Sequence, residues 1–123
     1  MGTATTAAMG ETTLELRVAE HDGWQVLYVR GEVDVSTTPR MRARLVAMLT
    51  HGEPQLIVDL EEVRFLDSSG LGAIVAALKL ARSRGGEVRL VCEGQRSVRK
   101  VLQVTGLDRV LERFDSVDDA VAA

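Results

Sequence analysis

Two apolar runs near the start of the chain have the spacing of β-strands. Leu14, Leu16 and Val18 alternate with polar residues, which is the pattern of a half-buried strand. A more continuous apolar run over residues 26–29 is typical of a strand buried more deeply. The turn-forming sequence at 20–23 separates the two runs, so together they predict a β-hairpin.

After the hairpin, helical and strand patterns alternate. Thr38 and Pro39 predict a helix start, with the threonine hydroxyl as the cap and proline at the first helical position, and Gly52 lies where this helix ends. The later elements are predicted in this order: a buried strand over 56–60, a helix from Ser68 to about Arg84, a strand over 88–92, a helix from about Gln95 to Thr105, a short edge strand over 110–114 and a short last helix opened by Ser116.

This element order predicts an α/β fold in a single domain. Strands that alternate with helices pair in parallel, with right-handed crossovers, whereas the opening hairpin adds one antiparallel edge strand. We therefore expect a mixed, mostly parallel sheet packed against helices, formed by residues 14–123. Residues 1–13 are rich in Thr, Ala and Gly and lack the basic start and apolar core of a signal peptide, so they predict a flexible leader.

Composition narrows the possible functions. Hydrophobic residues make up 46% of the chain and aromatic residues only 3%, which predicts an aliphatic core. The net charge of −3 and the scarcity of aromatic rings give no basis for direct nucleic-acid binding. No apolar stretch approaches the ~18 residues of a membrane span. The single cysteine, Cys92, lies in an apolar run and is interpreted as a buried thiol. Together these observations lead us to expect a soluble cytoplasmic protein.

Two loops carry the candidate chemistry, since ligands bind where parallel strands end. One loop follows the second strand and contains Asp34, and the other runs from Glu61 to Ser69. If their strands are neighbours, Asp34 and Ser68 lie close together. Asp34 is also open to a simpler interpretation, as a solvent-exposed turn residue with no further role.

The second loop ends in a block of unusual composition, Asp67-Ser68-Ser69-Gly70-Leu71-Gly72. A carboxylate and two hydroxyls at the positive N-terminus of a helix suit a phosphate that is added and removed. The two glycines leave the backbone open to close approach by another molecule. The alternative is that a serine here only caps the helix.

The common enzyme motifs are missing. The Gly-x-Ser-x-Gly sequence of serine hydrolases does not occur, and the two histidines, His21 and His51, belong to the edge of the sheet opposite Ser68. Phosphate-binding loops, dinucleotide glycine patterns and metal-ligand spacings are also absent from the sequence. We therefore expect no catalysis, no cofactor and no metal.

Two helices carry clusters of basic residues. Solvated helix faces explain both clusters, and a docking surface for an acidic partner is the alternative. The clusters comprise Arg40, Arg42 and Arg44 on the first helix, and Arg96, Arg99 and Lys100 on the third.

Three blocks of the sequence resemble the STAS-domain anti-sigma factor antagonists. Gly31-Glu32-Val33-Asp34 is similar to the block after that family's second strand. The stretch from Val58 to Gly72 resembles its phosphorylation signature, and Val101 to Phe114 is similar to its closing helix and strand. The resemblance covers nearly the whole chain from Leu14 onward and implies the same fold.

The resemblance implies a protein-binding switch. In this family the unphosphorylated antagonist sequesters an anti-sigma factor that is a GHKL-type serine kinase, and a PP2C-type phosphatase reverses the phosphorylation. By motif match, Ser68 would be the phosphoacceptor, and Asp34, Asp67, Ser69 and Gly70 would contribute with it to partner binding. The alternative function is a STAS-like module that binds a small ligand, such as a nucleotide or lipid, or scaffolds a signalling complex.

Overall fold

The computed structural model describes residues 14–123, so the predicted leader at 1–13 lies outside the described residues. The elements follow in this order: β1 Leu14–His21, β2 Trp24–Val33, α1 Thr38–His51, β3 Gln55–Leu66, α2 Ser68–Ser83, β4 Glu87–Val91, α3 Arg96–Thr105, a 3-10 turn Leu107–Arg109, β5 Glu112–Phe114 and α4 Val117–Ala122.

The five strands lie side by side in the order β1-β2-β3-β4-β5. β1 runs antiparallel to β2, and each of the other neighbouring pairs is parallel. The predicted mixed sheet with one antiparallel edge strand is therefore confirmed. Because β2, β3 and β4 point the same way, the segments that leave their carboxyl ends gather at one edge of the sheet.

The sheet buries side chains on both faces. Leu56 and Val58 of β3 belong to the main core, which also contains the buried faces of α1, α2 and α3. Ile57, between them, faces the other side and packs with Ala120 of α4 in a smaller cluster. The fully buried side chains are aliphatic apart from Met41 and Cys92, as the composition predicted, so close aliphatic packing holds the helices against the strands that carry the loops.

β3 is longer than the sequence predicted. The prediction ended at Leu60 because Glu61, Glu62 and Arg64 break the apolar run, yet the strand continues to Leu66. Val63 and Leu66 are buried and pair with β2, while the charged side chains stay at the surface. Register shifts in the pairing between β2 and β3 disturb the simple alternation that the prediction relied on. The expected loop from 61 to 69 therefore shrinks to a single residue between β3 and α2.

No helix among residues 14–123 is long and apolar enough to cross a membrane.

Candidate functional site

Two aspartates lie side by side where β2 and β3 end. Val33 and Leu66 are partners in the parallel register, and Asp34 and Asp67 are the next residue on each strand. The Asp67 N–H donates to the Val33 carbonyl at 3.1 Å, which fixes the two chain segments against each other. The charge of Asp34 acts to raise the pKa of Asp67, as expected of neighbouring carboxylates. The prediction that the two loops share one edge of the sheet is confirmed.

Asp67 is the cap of α2. Its Oδ1 accepts the backbone N–H groups of Ser69 at 2.9 Å and Gly70 at 3.3 Å. The same oxygen accepts the Ser69 hydroxyl at 2.5 Å. The hydrogen bond from that hydroxyl is the main cause that lowers the pKa of Asp67 below its ordinary value, and the two backbone donors add to it. Asp67 is therefore ionised at neutral pH and already occupies the helix N-terminus.

Ser68 is exposed and its hydroxyl is free. It is the first residue of α2, and within residues 14–123 its side chain makes no hydrogen bond. The interpretation of Ser68 as a simple helix cap is wrong, because Asp67 performs that role. An exposed hydroxyl without an internal partner is accessible to a second protein, which is what a phosphoacceptor requires.

The neighbouring Ser69 is held inside the fold. Its hydroxyl donates to Asp67 and lies 3.0 Å from the hydroxyl of Thr38. A serine hydroxyl has one proton to donate, and Ser69 donates it in the hydrogen bond to the Asp67 carboxylate. Thr38 is therefore the donor in the hydrogen bond between the two hydroxyls. The two adjacent serines of the block therefore differ: one faces solvent and the other links α2 to α1.

Thr38 was predicted as the cap of α1, and that prediction is wrong. The residue that precedes the helix is Thr37, and its side chain forms no capping hydrogen bond with this end of the helix. Thr37 instead braces the turn, because its hydroxyl donates to the Glu32 carbonyl at 2.8 Å. Thr38 is inside the helix and buried, and its hydroxyl is turned toward Ser69.

Asp34 organises the turn between β2 and α1. Its Oδ1 accepts the backbone N–H and the hydroxyl of Ser36, at 2.9 and 2.7 Å, and the N–H of Thr37 at 3.1 Å. The bond from the Ser36 hydroxyl is the largest cause that lowers the pKa of Asp34. The residue is half-buried and its contacts are those of a turn aspartate, so whether it also binds a partner stays a prediction. Its Oδ2 accepts no hydrogen bond from residues 14–123, which leaves it available to a partner.

The two glycines of the block have different roles. A Cβ on Gly70 would lie 2.5 Å from Val33 Cγ1 and 2.6 Å from Leu66 Cδ1, so this glycine lets α2 pack directly on the ends of β2 and β3. Gly70 is buried, and its expected contribution to partner binding stays a prediction. A Cβ on Gly72 would meet nothing within 4 Å, and this glycine is the one that leaves the surface open.

Two exposed apolar side chains flank the site and were not singled out from the sequence. Val35 is 75% exposed and Phe65 is 50% exposed, and each is next to or near one of the two aspartates. The sequence signal that could have identified one of them is an apolar residue, Val35, placed directly after Asp34 in a turn.

The other reactive side chains lie elsewhere. His21 is at the hairpin end of β1 and His51 is the last residue of α1, both away from the carboxyl ends of the parallel strands. Burial raises the pKa of Cys92 to about 11, which keeps this thiol protonated at neutral pH. Within the described part of the chain, no group of three or more His, Cys, Asp or Glu side chains could hold a metal ion.

Comparison with known proteins gives the family. The model of the STAS domain matches residues 15–120. The anti-sigma F factor antagonist of Paenibacillus polymyxa is 28% identical over 88% of this chain and 92% of its own length. The anti-sigma-B factor antagonist of Listeria monocytogenes is 32% identical over 80% of this chain and 87% of its own. An anti-sigma factor antagonist of Mycobacterium paratuberculosis has a similar crystal structure, with a TM-score of 0.81 and 31% identity over 89% of this chain and 92% of that one.

The chain belongs to the STAS domain family. Its relatives in this family carry the name of anti-sigma factor antagonists, so the resemblance inferred from the three sequence blocks is confirmed.

Proposed function

We propose that this protein is an anti-sigma factor antagonist and that phosphorylation of Ser68 switches its binding off. The names of its relatives support the first part. The observation that carries the second part is the contrast between the two adjacent serines. Ser68 is exposed and its hydroxyl makes no hydrogen bond to residues 14–123, whereas the Ser69 hydroxyl is hydrogen-bonded to Asp67 and Thr38.

In this scheme the unphosphorylated protein binds an anti-sigma factor that is itself a GHKL-type serine kinase, and the sigma factor is released. The Ser68 oxygen then attacks the γ-phosphorus of the ATP held by the kinase, the hydroxyl proton leaves and ADP departs. A PP2C-type phosphatase later adds water and returns the free serine with inorganic phosphate. The protein itself catalyses nothing and acts in the cytoplasm.

The two aspartates have distinct roles in the proposal. Asp34 offers its unbonded Oδ2 to a hydrogen-bond donor on the kinase, which positions the partner beside Ser68. Asp67 holds the first turn of α2 and so fixes the direction in which the Ser68 hydroxyl points.

The phosphate would act on the partner rather than on the fold. It adds a charge of about −1.5 to −2 beside two carboxylates. Asp67 already takes the N–H groups of Ser69 and Gly70, so the new group finds little compensation at the helix N-terminus. Because Ser68 is exposed, water solvates the phosphate and the fold tolerates it. A partner shaped for a neutral hydroxyl would have to desolvate a dianion.

The test compares Ser68→Ala with Ser69→Ala in an extract of the native cells supplied with ATP. Mass spectrometry of the peptide that contains both serines should find phosphate on the wild type and on Ser69→Ala, and none on Ser68→Ala. Phosphate that remains on the Ser68→Ala variant would exclude Ser68 as the acceptor. A protein without phosphate that binds a nucleotide or lipid saturably would favour the small-ligand alternative.

A further inference from the structure

A second apolar stripe runs along α1, on a face that the core does not cover. Met41, Leu45, Met48 and Leu49 form the buried face. Residues spaced by three and four positions form the second, exposed stripe, which is the pattern of a helix that packs on two sides. The stripe lines an open groove of about 710 Å³, and its apolar members are Pro39, Ala43, Val46 and Ala47.

The groove reaches the candidate phosphorylation site. Val35 and Ser69 line its upper end, and Thr50 and His51 line its lower end. From Thr38 to Thr50 the stripe extends over about 18 Å at the usual rise of a helix. A partner that fills the groove would therefore reach Ser69, the residue that follows Ser68 in the chain.

The charges of α1 are all of one sign. Arg40, Arg42 and Arg44 are exposed, and the helix contains no Asp or Glu between 38 and 51. Among residues 14–123 none of the three forms an ion pair, and Arg40 donates to the Leu14 carbonyl at 2.9 Å. The helix is therefore basic although the net charge of the whole protein is −3.

We propose that this α1 groove is the main docking surface for an acidic helical segment of the anti-sigma factor that phosphorylates Ser68. The inference rests on the proposed function and adds the place and chemistry of the partner. The small side chains of Pro39, Ala43 and Ala47 let a second helix approach closely, with its apolar face in the groove. Carboxylates beside that face would pair with Arg42 and its neighbours.

Two other occupants fit the groove less well. A second copy that docks through the same helix would bring its own three α1 arginines and no acid from that helix to the contact, so the charges would repel. A membrane surface is usually met by Trp, Phe or Leu side chains, and this stripe offers Pro, Ala and Val.

Photo-crosslinking of the full chain in its native cells tests the docking surface. The crosslinking amino acid p-benzoylphenylalanine replaces one of three exposed residues. These are Thr50 at the lower end of the groove, Phe65 near the end of β3, two residues before Asp67, and Val104 on α3, which is 76% exposed and serves as the control. We expect the crosslinkers at positions 50 and 65 to capture the same protein, and the peptide crosslinked at position 50 to be an acidic segment of it. The crosslinker at position 104 should not capture this protein. That protein must also phosphorylate Ser68 when purified.

A second arm measures affinity for the kinase captured at Phe65. Arg42→Glu should weaken binding about tenfold or more, whereas the matched control Lys100→Glu, an exposed basic residue on α3, should stay within about twofold. Val46→Glu and Val104→Glu form a second matched pair, with the same expectation. Thermal melts of all four variants confirm that they are folded.

The outcomes separate the inference from the proposed function. In one outcome the crosslinker at position 65 captures the kinase, but the crosslinker at position 50 does not and captures either nothing or a lipid, a second copy or a different protein. In that case the α1 groove is not the docking surface and the proposed function stands. If Arg42→Glu binds as well as Lys100→Glu, the charge argument is overturned. If Phe65 captures no kinase and Ser68 carries no phosphate, both the inference and the proposed function are wrong.

Discussion

The hydroxyl of Thr38 lies 3.0 Å from the hydroxyl of Ser69 and joins the first turn of α1 to the first turn of α2. The Ser69 hydroxyl in turn donates a hydrogen bond to the Asp67 carboxylate, so one chain of hydrogen bonds connects the two helices to the residue that follows β3. This chain holds the Ser69 hydroxyl inside the fold, whereas the Ser68 side chain is exposed. It also makes the two helices a single, fixed surface around Ser68.

We predict that Thr38 and Ser69 are energetically coupled. Thr38→Val and Ser69→Ala should each lower the free energy of unfolding by about 1–2 kcal/mol, because each leaves a partly buried hydroxyl group or carboxylate without its partner. The loss of stability in the double variant should differ from the sum of the two single losses by about 1 kcal/mol. Chemical denaturation of the four proteins measures it. Ser68→Ala is the control and should change stability by less than about 0.5 kcal/mol, since its hydroxyl is exposed. Strictly additive effects would show that the bond between the two hydroxyls contributes nothing.

The glycines of the block provide a matched pair of substitutions. Gly70→Ala should destabilise the protein by about 1–3 kcal/mol, because its Cβ would overlap Val33 and Leu66 at the end of the sheet. Gly72→Ala should stabilise it by up to about 1 kcal/mol, since alanine favours the helix and meets nothing there. Thermal and chemical denaturation give both values. Equal effects of the two substitutions would contradict the different packing of the two positions.

Stability should depend on pH through Asp67. Hydrogen bonds from Ser69 and Gly70 lower its pKa in the folded protein, so the unfolded chain binds its proton at a higher pH. The stabilisation is therefore fully present above the ordinary pKa of 3.8 and is lost as the pH falls below that value, through the lower pKa of the folded state. Denaturation between pH 2 and 6, compared for wild type and Asp67→Asn, measures this. We expect a shallower pH dependence in the variant, and an unchanged slope would contradict the assignment.

Two substitutions of Asp34 should distinguish its contribution to partner binding from its contribution to stability. Asp34→Asn keeps an oxygen that can accept from Ser36 and Thr37, so its melting temperature should stay near that of wild type. It loses the negative charge offered to the kinase, so phosphorylation and binding should weaken. Asp34→Ala loses the turn contacts as well and should melt earlier. Normal phosphorylation of Asp34→Asn would remove Asp34 from the binding site and leave it as a residue of the turn.

The sequence predicted the order of the elements and the meeting of the two loops, because those follow from apolar periodicity and the rules of parallel sheets. It did not predict the true end of β3 at Leu66, since register shifts in the pairing with β2 hide the buried positions Val63 and Leu66 among charges. The unequal roles of Ser68 and Ser69 were also out of reach. They depend on Thr38, which is distant in the sequence and which the local pattern indicated to be a cap.

The burial of Gly70 was also not predictable from the sequence, because it depends on packing against Val33, which is distant in the chain. A glycine at a helix start is compatible with partner approach and with close packing, and only the positions of Val33 and Leu66 decide between them. The exposed stripe on α1 is visible in the sequence as a second helical period. Its meaning depends on which faces the other elements leave uncovered, which the linear pattern does not contain.

The most direct test of the account is the affinity of the purified anti-sigma factor for this protein with and without phosphate on Ser68. Isothermal titration of both forms, together with circular dichroism, measures binding and fold on the same samples. We predict that the phosphate weakens binding at least about tenfold while the helical signal stays as in the unmodified protein. Equal affinity for the two forms, or a loss of helical signal on phosphorylation, would contradict a switch that acts at the docking surface around Ser68.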